Sequence, residues 1–169
     1  MTRLSTALLA IPALCMSVPV YAQGDPPPHK VSVTVSPFQL LNPQLHVAGE
    51  FRLAQKLSAA AVLGAGKVTD EGQTYRIWEV GGQLRYYLLG SFTHGMMLGA
   101  GVGYVDVNGQ MEHPMEHLVG TRAGGFLGYK KTMKIGFTAE AQIGPVYVWG
   151  NAGITELQIL VNLKFGWSF

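Results

Sequence analysis

Thr155-Glu156-Leu157-Gln158-Ile159-Leu160-Val161-Asn162-Leu163-Lys164-Phe165-Gly166-Trp167-Ser168-Phe169 is a segment with two unlike sides. Leu157, Ile159, Val161, Leu163, Phe165, Trp167 and Phe169 fall on one of them. Glu156, Gln158, Asn162, Lys164 and Ser168 fall on the other. Side chains alternate across a strand, so a period of two over this length predicts a β-strand with one apolar face.

Working back from this segment, seven more strand-like stretches appear. The eight are 30–39, 43–53, 58–68, 74–89, 94–107, 117–130, 134–149 and 154–169. Val31, Val33 and Val35 oppose Ser32, Thr34 and Ser36 in the first. Leu45, Val47, Phe51 and Leu53 oppose His46, Glu50 and Arg52 in the second. In the fourth, Trp78, Val80, Leu84, Tyr86 and Leu88 oppose Glu79, Gln83 and Arg85. In the seventh, Ile135, Phe137, Ala139, Ala141, Ile143, Tyr147 and Trp149 oppose Thr138, Glu140 and Gln142. The third strand, with its run from Ala59 to Val62, has no readable parity.

The chain has 169 residues, which is room for one domain, residues 29–169. Residues 1–22 read as a cleaved secretory signal peptide. Arg3 is the positive start, Ala7 to Val20 the apolar stretch, and Val20-Tyr21-Ala22 the cleavage site before Gln23. The single cysteine, Cys15, lies inside it. Leu14 before it does not suit a lipoprotein site, so the mature chain is expected to carry no thiol. Residues 23–28, with Asp25-Pro26-Pro27-Pro28, read as a short extended linker.

Twelve Lys and Arg face ten Asp and Glu. This near balance offers no basic patch for nucleic acid. Only 13% of the residues are charged, which is low for a soluble domain. After residue 22 no stretch of some 18 unbroken apolar residues predicts a transmembrane helix.

The connections alternate in length. Turns are expected near Gln55-Lys56, Gly90–Thr93 and Lys131-Thr132. Loops on the opposite side are expected near Leu41-Asn42, Val68–Gln73, Asn108–Glu116 and Gly150–Gly153. The two longest connections share one side. Aromatic residues also sort by height, with Tyr75, Trp78, Tyr104, Tyr147 and Trp149 near the loop side. Tyr86, Tyr129, Trp167 and Phe169 lie near the turn side. Two such belts suit two membrane interfaces. A soluble barrel or sandwich would use the same aromatics as core, but it would need more charge on its exterior.

The pattern predicts an all-β fold, an eight-stranded antiparallel up-and-down transmembrane barrel. Eight strands enclose a space just wide enough for side chains. The expected inward charges are Glu50, Arg52, Glu79, Arg85, Arg122, Glu140, Glu156 and Lys164. Buried charges are costly unless paired, so the balance of signs points to a lumen plugged by ion pairs. Counting outward from the connections sets Glu140 opposite Lys164, Arg85 opposite Gly99, and Arg122 opposite Gly103. Glycine opposite arginine leaves volume for the larger side chain.

The mature chain resembles the small eight-stranded outer-membrane barrels of the OmpA/OmpX type, in the broad outer-membrane β-barrel domain superfamily. The residues that carry the likeness are Gly99-Ala100-Gly101-Val102-Gly103-Tyr104, the strand with Glu50 and Arg52, and Phe165-Gly166-Trp167-Ser168-Phe169. The resemblance implies a Gram-negative outer membrane, contact with its lipid, and insertion by the barrel assembly machinery. It makes Phe165, Trp167 and Phe169 the C-terminal insertion signal. Family members include adhesion and stress-related envelope proteins, structural anchors and a few lipid-modifying enzymes.

Three motifs compete with that reading. Met111-Glu112-His113-Pro114-Met115-Glu116-His117 repeats Met-Glu-His around a proline in the longest loop. Its ligand types suit a divalent metal, but Pro114 breaks any helix that would align them. It reads instead as an outer-loop recognition segment for an extracellular ligand or surface. Ser91-Phe92-Thr93-His94 pairs a nucleophile with a base, but no carboxylate stands near in sequence. No His is followed two residues later by Ser, as in the lipid A deacylases that this chain resembles in size. Gly64-Ala65-Gly66-Lys67-Val68 lacks the Ser or Thr of a phosphate loop. The expectation is a non-enzymatic envelope protein with no cofactor and no metal. A small solute pore and a lipid-modifying enzyme are the alternatives.

Overall fold

A computed structural model describes residues 29–36, 44–70, 73–109, 118–151 and 155–169. The expected signal peptide, the linker, the Leu41-Asn42 loop and the Met111–His117 segment lie outside the described residues. The elements are β1 (Val31–Ser36), β2 (Gln44–Arg52), β3 (Leu57–Asp70), β4 (Gln73–Ser91), β5 (His94–Gly109), β6 (Leu118–Thr132), β7 (Phe137–Gly150) and β8 (Thr155–Ser168). Each strand pairs antiparallel with the next, and β8 pairs with β1, so the sheet closes into a barrel in sequence order. Closure satisfies the edges that an open sheet would leave bare.

The β1–β8 seam runs from Ser32 opposite Ser168 to Val35 opposite Phe165. The last residue continues it, with Phe169 N donating to Val31 O at 2.8 Å and Lys30 N donating to Phe169 O at 2.7 Å. The β2–β3, β4–β5 and β6–β7 connections therefore share one end with this seam, the turn end. The other four connections define the loop end.

Alternation decides which side chains go inside. Ser32, Thr34 and Ser36 of β1 are buried, whereas Val33 is 43% exposed. On β8, Asn162, Lys164 and Ser168 are buried, whereas Ile159 is 76% exposed. The parity of β3 also resolves. Ser58, Ala60 and Val62 point inward, and Leu57 and Leu63 outward. Ala59 and Ala61 are small enough for either side, which hid the pattern.

Two connections differ from expectation. The turn expected at Lys131-Thr132 lies at 133–136, where Gly136 adopts φ +93° and its N–H bonds Met133 O at 2.9 Å. Glycine accepts that left-handed conformation without strain, and this places the turn. The loop expected over Val68–Gln73 is narrower, because β3 and β4 stay paired out to Asp70 opposite Gln73.

The three register expectations hold: Glu140 opposite Lys164, Arg85 opposite Gly99, Gly103 opposite Arg122. The space at Gly99 is filled by a different residue, however. A Cβ there would run into the Phe126 ring, so Phe126 of the neighbouring strand occupies the gap, not Arg85. Gly99→Val is expected to destabilise the barrel by about 1–3 kcal/mol through overpacking. Urea unfolding of the refolded protein measures it.

Candidate functional site

The interior has three levels. At the turn end lies a hydroxyl cluster, in which Thr138 Oγ1 and Ser168 Oγ are 2.6 Å apart and Thr132 Oγ1 lies 2.9 Å from Thr138. Above it sits a small apolar cluster of Tyr87, Phe92, Met97 and Phe126. A β-bulge between Tyr87 and Leu89 permits this. It turns both Leu88 and Leu89 outward and brings Phe92 inside.

The third level is a charge network centred on Glu50, Arg85 and Glu140. Alternation on β2, β4 and β7 aims all three at the barrel axis. Arg85 Nη1 donates to Glu50 Oε2 and to Glu140 Oε2, both at 2.9 Å. Lys130 Nζ reaches Glu50 Oε2 at 2.7 Å, and Lys164 Nζ reaches Glu140 Oε1 at 3.3 Å. Neutral donors complete the set. Ser58 Oγ and Tyr87 Oη donate to Glu50 Oε1 at 2.5 and 2.8 Å, and Gln142 Nε2 donates to Glu140 Oε1 at 2.6 Å. Arg85 also bonds Gln83 Oε1 through Nη2 at 2.8 Å.

The Glu50–Arg85, Glu50–Lys130 and Arg85–Glu140 contacts tie β2 to β4 and β6, and β4 to β7, across the lumen, while Ser58, Gln142 and Lys164 reach their carboxylates along the wall. A buried polar network stabilises one arrangement only when its members are satisfied. Each carboxylate here takes three or more donors. Every oxygen of the two accepts from at least one partner. Lys130 Nζ also lies 3.7 Å from the centre of the Phe92 ring, joining the charged level to the apolar one.

Toward the loop end a separate pair forms between Arg122 and Glu79. His46 Nε2 lies 4.0 Å from Glu79 Oε2. Two small cavities adjoin here, of about 30 and about 20 Å³. Val62, Gln83, Arg122 and Leu160 border both. Such volumes suit a water or so, not a solute.

Of the eight expected lumen charges, the structure joins Glu50, Arg85, Glu140 and Lys164 into one network and sets Glu79 with Arg122 apart from it. Arg52 and Glu156 stand apart from both groups. Neither is joined to the network by an ion pair among the described residues. Arg52 ends β2 and is only partly buried, and Glu156 near the start of β8 is exposed. Sequence reasoning missed Lys130. It shares the parity of Arg122 along β6, and that signal could have found it.

A scan of protein-family models and searches of curated proteins and solved structures found no match to this chain. The site is therefore read from its geometry alone. Phe165, Trp167 and Phe169 stand on the outer face at the turn end, with Phe137 stacked against Phe165 and edge-on to Trp167. Thr93 Oγ1 lies 3.1 Å from Ser91 Oγ and 3.4 Å from His94 Nδ1. Thr93 thus stands between the serine and the histidine as a shared neighbour. Among the described residues no group of three or more His, Cys, Asp and Glu is placed to hold a metal.

Proposed function

We propose that this chain is an integral outer-membrane protein of a Gram-negative bacterium, a barrel akin to the OmpA/OmpX type. In this reading the charged lumen is a plug, the wall is an anchor, and the outer loops form an interaction surface. The observation that carries it is an inverted distribution of polarity. Among the described residues, buried polar and charged side chains outnumber buried hydrophobic ones, and large apolar side chains cover the exterior. A soluble domain buries its apolar groups, whereas an exterior of Leu, Ile, Val and aromatics suits lipid.

Two further features support it. Trp78 with Tyr104, and Tyr147 with Trp149, pair on the wall toward the loop end. Phe137, Phe165 and Trp167 cluster toward the turn end. Rings at both heights match the two interfaces of a bilayer. From β2 onward, the strands have nine or more residues, enough to cross when tilted. On this reading Phe165, Trp167 and Phe169 address the chain to the barrel assembly machinery, and the segment 111–117 recognises an extracellular ligand or surface.

The plug favours an anchor over a pore, and the ion-paired carboxylates favour a non-enzymatic role. Planar-bilayer recording tests the first point. The expected trace has no stable conductance, and a reproducible unit conductance would replace the anchor with a pore. Mass spectrometry of lipid A with and without expression tests the second. Unchanged masses are expected, and a gained or lost acyl chain would make the protein a lipid-modifying enzyme.

A further inference from the structure

Lys67 and Arg76 stand directly opposite each other on β3 and β4. Both are exposed, and both share the outward parity of Leu63, Trp78 and Val80. Like charges directly opposite on one face repel, and an anion held between them would offset that cost. Among the described residues, neither cation has a carboxylate within ion-pair distance. Asp106, on the same face opposite Trp78, is buried and accepts a hydrogen bond from Asn108.

The wall just below the pair is shaped for an apolar chain. One step toward the turn end, Ala65 lies beside Trp78, whose ring is 5.6 Å from that of Tyr104. Two steps further, Ala61 lies beside Gly82. A Cβ on Gly82 would meet only Ala60 O, at 3.8 Å, so packing does not require glycine there. Its smallness leaves a shallow notch between Leu63, Val80 and Leu84, which stand out from the wall at 60%, 41% and 58% exposure.

We propose that Lys67 and Arg76 bind the phosphate of a phosphorylated lipid in the outer leaflet, with an acyl chain along the Ala61–Gly82 notch. The inference rests on the outer-membrane reading. Two cations at an aromatic belt are placed at headgroup height, where each basic residue adds to attraction for an anionic lipid. Arginine and lysine together supply a planar fork and a point charge to one phosphate. The notch and Trp78 bind what lies below the headgroup, so a lipid fits better than a free anion.

The test uses the full mature chain refolded in detergent. Native mass spectrometry follows binding of phosphorylated lipid A and of the same lipid with its phosphates removed. One lipid is expected on the parent protein. Lys67→Gln with Arg76→Gln is expected to weaken it about thirtyfold. Removing the phosphates should weaken it similarly, while Lys131→Gln, at the turn end, leaves it unchanged. Equal binding by the double variant, or of the lipid lacking phosphate, overturns the proposal. If the double variant fails to fold, Lys67→Arg with Arg76→Lys takes its place and must retain binding. A boiling-dependent gel shift on the same samples separates the two levels of failure. A protein that shifts but binds no lipid sinks this inference alone, whereas one that never shifts removes the membrane reading beneath it.

Discussion

Arg85→Ala is expected to destabilise the folded barrel by about 3–5 kcal/mol, the cost of removing one partner from a buried ion pair. Arg85 is 1% exposed, and one of its nitrogens bridges Glu50 and Glu140. Without it, two carboxylates held near one point lose the cation between them. Gln83 Oε1 loses its donors as well. Lys130 and Lys164 stay in place, but each is already committed to one carboxylate. Urea unfolding in lipid vesicles measures the loss. Trp78, Trp149 and Trp167 lie on the outer wall and report release from lipid by their fluorescence. Arg52→Ala is the control, expected within about 0.5 kcal/mol of the parent because Arg52 stands outside the network. A loss below about 1 kcal/mol for Arg85→Ala would mean that water reaches the network and solvates it.

Val161→Arg carries the second large effect, and its sign depends on what surrounds the wall. Val161 sits midway along β8, opposite Ile143, and is 68% exposed. In water, an exposed Val→Arg change is worth within about 0.5 kcal/mol either way. In a bilayer, arginine near the midplane of a barrel wall costs about 2–4 kcal/mol. The expected result is the larger loss in vesicles, read from the urea midpoint. Gln142→Ala, on the inner side of β7, acts by a separate route, because it removes a donor from Glu140. It is expected to cost about 1–3 kcal/mol whatever lies outside the barrel.

Much of this architecture was legible because alternation in a barrel is strict. A residue of β1, β2, β7 or β8, or of β4 up to Tyr87, cannot change face without moving its whole strand, so a period of two carries the fold. The three cross-strand pairs followed from counting outward from the connections. What failed did so where alternation loses its contrast. Ala59, Ala60 and Ala61 suit either face. The bulge after Tyr87 shifts parity by one residue, and no local sequence signal marked it. The apolar cluster of Tyr87, Phe92, Met97 and Phe126 was missed because hydrophobic residues were expected only outside. Lys130 was hidden by the turn placed too early, at Lys131-Thr132. Arg52 and Glu156 have the inward parity, yet their strand-end positions set them apart from the network. Face can be read from sequence, but depth along the barrel depends on strand tilt and on where each turn closes.

The central claim is that the apolar wall faces lipid. Gel electrophoresis of the outer-membrane fraction, with and without boiling after mild detergent extraction, tests it most directly. The account predicts that the protein is found in that fraction, resists unheated SDS and changes mobility on boiling. Recovery as a soluble periplasmic protein with a single unshifted band would contradict it. The exposed apolar faces would then have to be covered by protein instead of lipid.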